Sequence, residues 1–160
     1  MKKIIKETRI KKDAIVYSLG GGSSGFLMSL EEHYPDLRLV GVEDSLCSYL
    51  ATKIQVFLKK SRIKVLKSDY YWINISQADV VYCYLSLKDV RDIQRRLKID
   101  TKPNALIISN GFVIPYMEPF KTIELKEKMH WSRIFNRGKK VVRTSRDEDK
   151  RDNKVYYYQV

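Results

Sequence analysis

The sequence predicts an α/β fold: a three-layer sandwich around a mostly parallel seven-stranded sheet, with an antiparallel strand near one edge. Three observations predict it. Short apolar runs alternate with stretches of helical periodicity, the pattern of strand–helix units. Ala14 to Gly25, AIVYSLGGGSSG, carries an apolar run into a glycine-rich loop and then into the helical face Phe26-Leu27-Met28-Ser29-Leu30. Ala78 to Leu85, ADVVYCYL, is almost wholly apolar, as suits a central parallel strand covered on both faces.

Taken in order, residues 1–12 form a basic arm with Lys2, Lys3, Lys6, Arg9, Lys11 and Lys12. Ile4, Ile5 and Thr8 give it one thin apolar face, which suits either a frayed terminus or a cover over part of a pocket. The first strand is Ala14 to Leu19. The first helix of the fold runs from about Ser24 to Tyr34, with Phe26, Leu27, Leu30 and Tyr34 on one side. Pro35-Asp36 turns the chain into a second strand, Arg38 to Glu43. Asp44 or Ser45 caps the next helix. There Leu46, Leu50, Ile54 and Phe57 recur at helical spacing as a core face, and Lys53, Lys59 and Lys60 face water.

Ile63 to Leu66 is the third strand and Ser68-Asp69-Tyr70-Tyr71-Trp72 the loop after it. Ser86 to Asp89 reads as a capping box with aspartate in place of the commoner Glu or Gln, opening a helix with core face Val90, Ile93 and Leu97. Thr101 to Asn104 is a turn and Ala105 to Ser109 the fifth strand. Phe120 to Lys126 and Val155 to Val160 are the last two strands, with no evident helix between them, which implies an antiparallel pair at one edge. Residues 129–154 are rich in both charges, with Trp131, Ile134, Phe135, Val141 and Val142 interspersed; they read as a lid or a loop insertion.

The length suits a single domain, residues 1–160. A hydrophobic fraction of 44% is that of a globular protein, so the net charge of +12 does not imply disorder. No apolar run is long enough to be a transmembrane segment, and the charged N-terminus has no signal-peptide core, so the cytoplasm is the expected location. Cys47 and Cys83 fall within a helix and a strand and read as buried free thiols; with His33 and His130 isolated, no metal site is expected. The positive charge favours an anionic partner: nucleic acid, an acidic protein surface or an anionic membrane.

Gly20-Gly21-Gly22-Ser23-Ser24-Gly25 fits G-x-G-x-x-G, with an apolar run before it, a helical pattern after it and Glu43 about 20 residues on. The pattern points to a nucleotide-type cofactor. In open parallel sheets the ligand lies beyond the carboxyl ends of the strands, where the strand order reverses. The glycine loop, Glu43, Asp69 with Tyr70, and Tyr84 with Leu85 and Ser86 all occupy such ends. A nicotinamide dinucleotide would set its pyrophosphate on the glycine loop. S-adenosylmethionine, which has no phosphate, would use Glu43 for its ribose and an acid near its adenine.

SLGGGSSGF, LVGVEDS, IKVLKSDYYWINISQADVVYCYLS and IISNGFVIPYMEP together resemble the Rossmann-like class I S-adenosylmethionine-dependent methyltransferases. They are most similar to the small FAM173-like bacterial and archaeal relatives of the protein-lysine methyltransferases. The resemblance covers roughly Ala14 to Pro119, and VYYYQV is similar to the family's last strand. It implies an enzyme that methylates an acceptor amine, foremost a protein lysine, with S-adenosylmethionine as cofactor. Gly20 and Gly22 would approach the methionine part of the cofactor. Glu43 would accept from the ribose hydroxyls, with Asp44 beside it. Asp69 would accept from the adenine amine, with Tyr70 by the ring.

On the same resemblance Tyr84 and Ser86 would lie near the transferred methyl group as the catalytic candidates, with Tyr84 also touching the cofactor. Tyr84, Phe112, Ile114 and Trp131 would form a partly apolar mouth that favours a neutral amine. Ser18 stands where the family usually has an acid at the cofactor, Ser23 and Ser24 where relatives often have another, and the proline-containing segment before the first strand is missing. These departures keep open a binding module without turnover. The positive charge keeps open a nucleic-acid acceptor, and an acidic protein is the partner a basic enzyme would meet most readily.

Overall fold

A computed structural model of the chain describes residues 2–8, 10–20, 23–125 and 151–160. Seven strands form one sheet in the order β3-β2-β1-β4-β5-β7-β6. They are β1 (Ile15–Leu19), β2 (Arg38–Glu43), β3 (Lys64–Lys67), β4 (Val80–Cys83), β5 (Leu106–Asn110), β6 (Lys121–Glu124) and β7 (Lys154–Gln159). The first five pair in parallel, and β7 enters antiparallel between β5 and β6. The late antiparallel pair is therefore present, with the chain's last strand inserted inside the edge. Strand order reverses between β1 and β4, which places the switch point of the sheet at the glycine loop.

Side chains alternate across the sheet. Val80 and Tyr82 of β4 face α1 (Lys2–Glu7) and α2 (Ser23–His33), while Val81 and Cys83 face α4 (Leu87–Ile99). All four are buried, as a strand covered on both faces requires. Phe26, Leu27 and Leu30 fix α2 to the sheet, and the Phe26 ring stacks on Tyr82 at 3.9 Å. Val90, Ile93 and Leu97 anchor α4. Ile4 and Ile5 are fully buried, so the basic arm is a packed helix; Lys3 and Lys121 bind it to the sheet edge through Glu124 and Glu7.

Two readings are corrected. Helix α3 (Leu46–Leu58) lies beside α2 over β2 and β3, but it turns Tyr49, Thr52 and Val56 inward. Leu46, Leu50, Ile54 and Phe57, the expected core face, are exposed by 48 to 81%. The cause is what lies beneath. Edge strand β3 has four residues, and the Thr52 hydroxyl is drawn inward to donate to Glu43. Cys47 falls on the same outward arc and is exposed, whereas Cys83 is buried. Of the expected lid, 129–150 lie outside the described residues; residues 151–153 lead directly into β7.

Candidate active site

The carboxyl ends of β1, β2 and β4 are joined by backbone hydrogen bonds. Gly20 N–H donates to Val42 at 3.1 Å, and Tyr84 N–H donates to Leu19 at 2.9 Å. Gly20 has φ +103°, and a Cβ there would stand 2.4 Å from the Tyr84 carbonyl oxygen. Glycine is thus demanded by the chain's own packing, since β4 exits against the loop. Ser18, two residues earlier on β1, is fully buried, and its hydroxyl has no hydrogen-bond partner among the described residues. Gly22 lies outside the described residues.

At the end of β2, Glu43 is fully buried and accepts from the Thr52 hydroxyl at 3.3 Å. Asp44 is exposed beside it and accepts from the Tyr70 hydroxyl at 3.0 Å. That bond links the end of β2 to the loop after β3. Burial is the main force raising the Tyr70 hydroxyl far above an ordinary tyrosine, and the Asp44 carboxylate adds to it. Asp69 is exposed and accepts from Tyr71 N–H at 2.8 Å, which turns the loop. Arg96 of α4 holds the loop from the far side by donating to the carbonyls of Tyr71 and Ile73.

These pieces enclose a cleft of about 590 Å³ lined by Asp44, Asp69, Tyr70, Tyr71, Trp72 and the first turns of α4, including Asp89 and Asp92. Lys88 also lines it and pairs with Asp92 at 2.8 Å. The cleft is therefore acidic, against the sign of the whole chain. A second cleft of about 610 Å³, containing the Asp79–Lys102 pair, lies at the opposite, amino-terminal edge of the strands and is remote from every residue of the glycine-loop site.

Ser86 starts α4. Its hydroxyl accepts from Asp89 N–H at 3.2 Å and donates to the Asp89 carboxylate at 2.6 Å. The capping box read from the sequence forms, and it occupies the hydroxyl that the same sequence offered for catalysis. Tyr84 is half-buried at the end of β4, with the Arg151 guanidinium 3.9 Å from its ring centroid and 5.5 Å from that of Phe112. Arg151 lies flat against Gly111, where φ is +95° and a Cβ would come within 3.1 Å of it. Ile114 belongs to the core, with its N–H donating to Tyr158, and does not line a mouth; Trp131 lies outside the described residues.

The structure thus brings Ser18, Gly20, Glu43, Asp44, Asp69, Tyr70, Tyr84 and Ser86 to one edge of the sheet. Asp44, Asp69 and Tyr70 share the cleft. Sequence reasoning missed Thr52 and Arg151. Thr52 carries no signal beyond being polar on a helix, and Arg151 is one cation in a charged run; the glycine after Asn110 is the only trace of what lies across it.

No family model matches the chain. It is similar, at 22% identity over 79% of its length and 80% of the relative's, to a protein-lysine N-methyltransferase of Saccharolobus islandicus. Among solved structures, an RNA methyltransferase from Salinibacter ruber, in complex with S-adenosyl-L-homocysteine, superposes with a TM-score of 0.76 at 16% identity, over 99% of this chain and 88% of that one. PKMT2 from Rickettsia typhi, in complex with AdoHcy, gives 0.52 at 20% identity over 64% of this chain, which spans about a fifth of that longer protein (21%). These likenesses establish the Rossmann-like fold of the methyltransferases.

Proposed function

We propose that the chain is an S-adenosylmethionine-dependent methyltransferase whose acceptor is an amine, foremost a protein lysine. One observation carries this reading. Asp44 after β2 and Asp69 after β3 line one acidic cleft, with Glu43 buried at the end of β2, on a fold shared along nearly the whole chain with a methyltransferase. The residues fit the cofactor. Glu43, buried at the end of β2, would accept from the ribose hydroxyls, and Asp69 would accept from the adenine amine beside the Tyr70 ring. Ser18 keeps a buried hydroxyl near Gly20 with no hydrogen-bond partner among the described residues. A cationic cofactor also suits a cleft lined by four aspartates.

The cofactor supplies an electrophilic methyl group on sulfur, which an acceptor lone pair displaces without a covalent enzyme intermediate. The chain's work is alignment, worth about 7–11 kcal/mol when the reacting atoms are held in line. Tyr84, half-buried at the end of β4, offers aromatic surface on the acceptor side, where desolvation favours the neutral amine over the ammonium. Ser86 positions α4 and the cleft wall through its cap. The name of the Saccharolobus relative supports a lysine acceptor.

A nucleic-acid acceptor is the second reading, favoured by the name of the Salinibacter structure. Thermal unfolding with S-adenosylmethionine, S-adenosylhomocysteine or NAD tests the cofactor. A ligand at 100 times its dissociation constant adds about 2.7 kcal/mol, a shift of several degrees. Stabilisation by the first two alone is expected, and stabilisation by NAD alone overturns the assignment. Transfer of labelled methyl to protein rather than RNA, with weak salt dependence, separates the acceptors.

A further inference from the structure

Helix α3 wears its apolar side outward. At about 100° per residue, Leu46, Leu50, Ile54, Phe57 and Leu58 fall within an arc of about 120° with no charged residue inside it. All five are exposed, most of all Phe57 at 81% and Leu58 at 73%, towards the helix's C-terminal end. Together they expose several hundred Å² of side chain, the scale at which an apolar patch marks an interaction site. From Ser45 to Lys67 the chain has six cations and no acid. Arg62 pairs with Glu31, whereas exposed Lys53, Lys59, Lys60, Lys64 and Lys67 border the ridge or the free edge strand beside it.

We propose that this ridge seats the protein on an anionic lipid surface, with α3 lying in the plane of the headgroups and its lysines against the phosphates. An exposed helix with aliphatic and aromatic residues on one face and lysines at its margin combines the two attractions that peripheral binding needs, apolar insertion and headgroup charge. No helix among the described residues is long and apolar enough to span a bilayer, so the contact is with the surface. The ridge is convex and offers no hydrogen-bonding side chain to fix a protein partner's register. A second copy would bring the same cations face to face. Aliphatic side chains are poor platforms for nucleic-acid bases. The proposal is independent of which acceptor the methyl group reaches.

Co-sedimentation of the full chain with vesicles tests it, using phosphatidylcholine alone or with a quarter phosphatidylglycerol. Binding to the anionic vesicles only is expected, falling as salt rises. The Ile54→Asp/Phe57→Asp and Lys59→Glu/Lys60→Glu variants should each bind at least tenfold more weakly with unchanged melting temperature and unchanged S-adenosylhomocysteine affinity. Maleimide labelling gives a second readout. Exposed Cys47 on the ridge's flank should be protected by anionic vesicles, while buried Cys83 stays unreactive with or without them. Equal binding by the Ile54→Asp/Phe57→Asp variant, absence of binding to anionic vesicles, or a concentration-dependent dimer that this variant abolishes would each overturn the proposal.

Discussion

Replacing Glu43 by glutamine tests the cofactor reading at its most buried point. The carboxylate is fully enclosed at the end of β2, one oxygen accepting from Thr52 at 3.3 Å. Glutamine keeps the volume and one acceptor oxygen, so the Thr52 contact survives in one amide orientation. What is lost is a charged acceptor for a ribose hydroxyl. Hydrogen bonds to charged groups contribute about 1.5–3 kcal/mol, so S-adenosylhomocysteine should bind roughly 10- to 150-fold more weakly. The ligand-free protein should change little, because a neutral amide is cheaper to bury than a carboxylate and offsets the weaker contact. Titration calorimetry gives the affinity and differential scanning calorimetry the stability. An affinity within threefold of wild type refutes the ribose assignment. A ligand-free protein destabilised by more than about 2 kcal/mol would show that Glu43 serves the fold instead.

Three further outcomes are expected. Gly20→Ala forces a left-handed backbone strain of about 1–2 kcal/mol and a clash with the Tyr84 carbonyl; a total near 3 kcal/mol lowers the melting temperature by roughly 6–12 °C, read by circular dichroism. Stability should fall in alkali. Burial raises the Tyr82 hydroxyl and the Cys83 thiol to about 12, so their protonated forms are favoured in the fold; stability is intact below about 8.5, where unfolded cysteine ionises, and erodes through the unfolded tyrosine value near 10 up to about 12, by at most 1.4 kcal/mol per pH unit per group, measured by urea titration. Arg151→Ala removes a cation from the Tyr84 face; it should cost at most about 1 kcal/mol of stability and lower the KM for a lysine acceptor while leaving S-adenosylhomocysteine affinity unchanged, whereas a raised KM would place Arg151 among the acceptor's own contacts.

Much of this architecture was legible because the sequence repeats one message at several levels. The apolar run of β4, the glycine loop between strand and helix, and the Phe26-Leu27-Leu30 face each specify the same parallel sandwich, and the β4 run and the helical face are buried where the pattern puts them. Helix α3 was misread because periodicity reveals a face without revealing what covers it. A four-residue edge strand covers little, and the Thr52–Glu43 bond turns the helix the other way. Ser86 shows a different limit. One residue carries two local signals, a helix cap and a strand-end hydroxyl, and in the fold the cap uses the hydroxyl. Arg151 depended on a contact between residues 67 positions apart from Tyr84 in the chain, which no local pattern encodes.

The charge of the chain also reads differently once it is placed. Six of its twelve net positive charges come from Ser45 to Lys67, the helix and strand at one end of the sheet. The cleft between the strand ends and α4 is lined by four aspartates and one lysine already paired to Asp92. Net charge therefore says little about the acceptor, because half of it acts elsewhere. On the proposed reading a cationic cofactor and a lysine-bearing acceptor would meet a locally acidic cleft, while the basic ridge of α3 would meet an anionic lipid surface. On this division, reversing Lys59 and Lys60 should alter surface binding without moving cofactor affinity, and neutralising Asp69 should do the reverse.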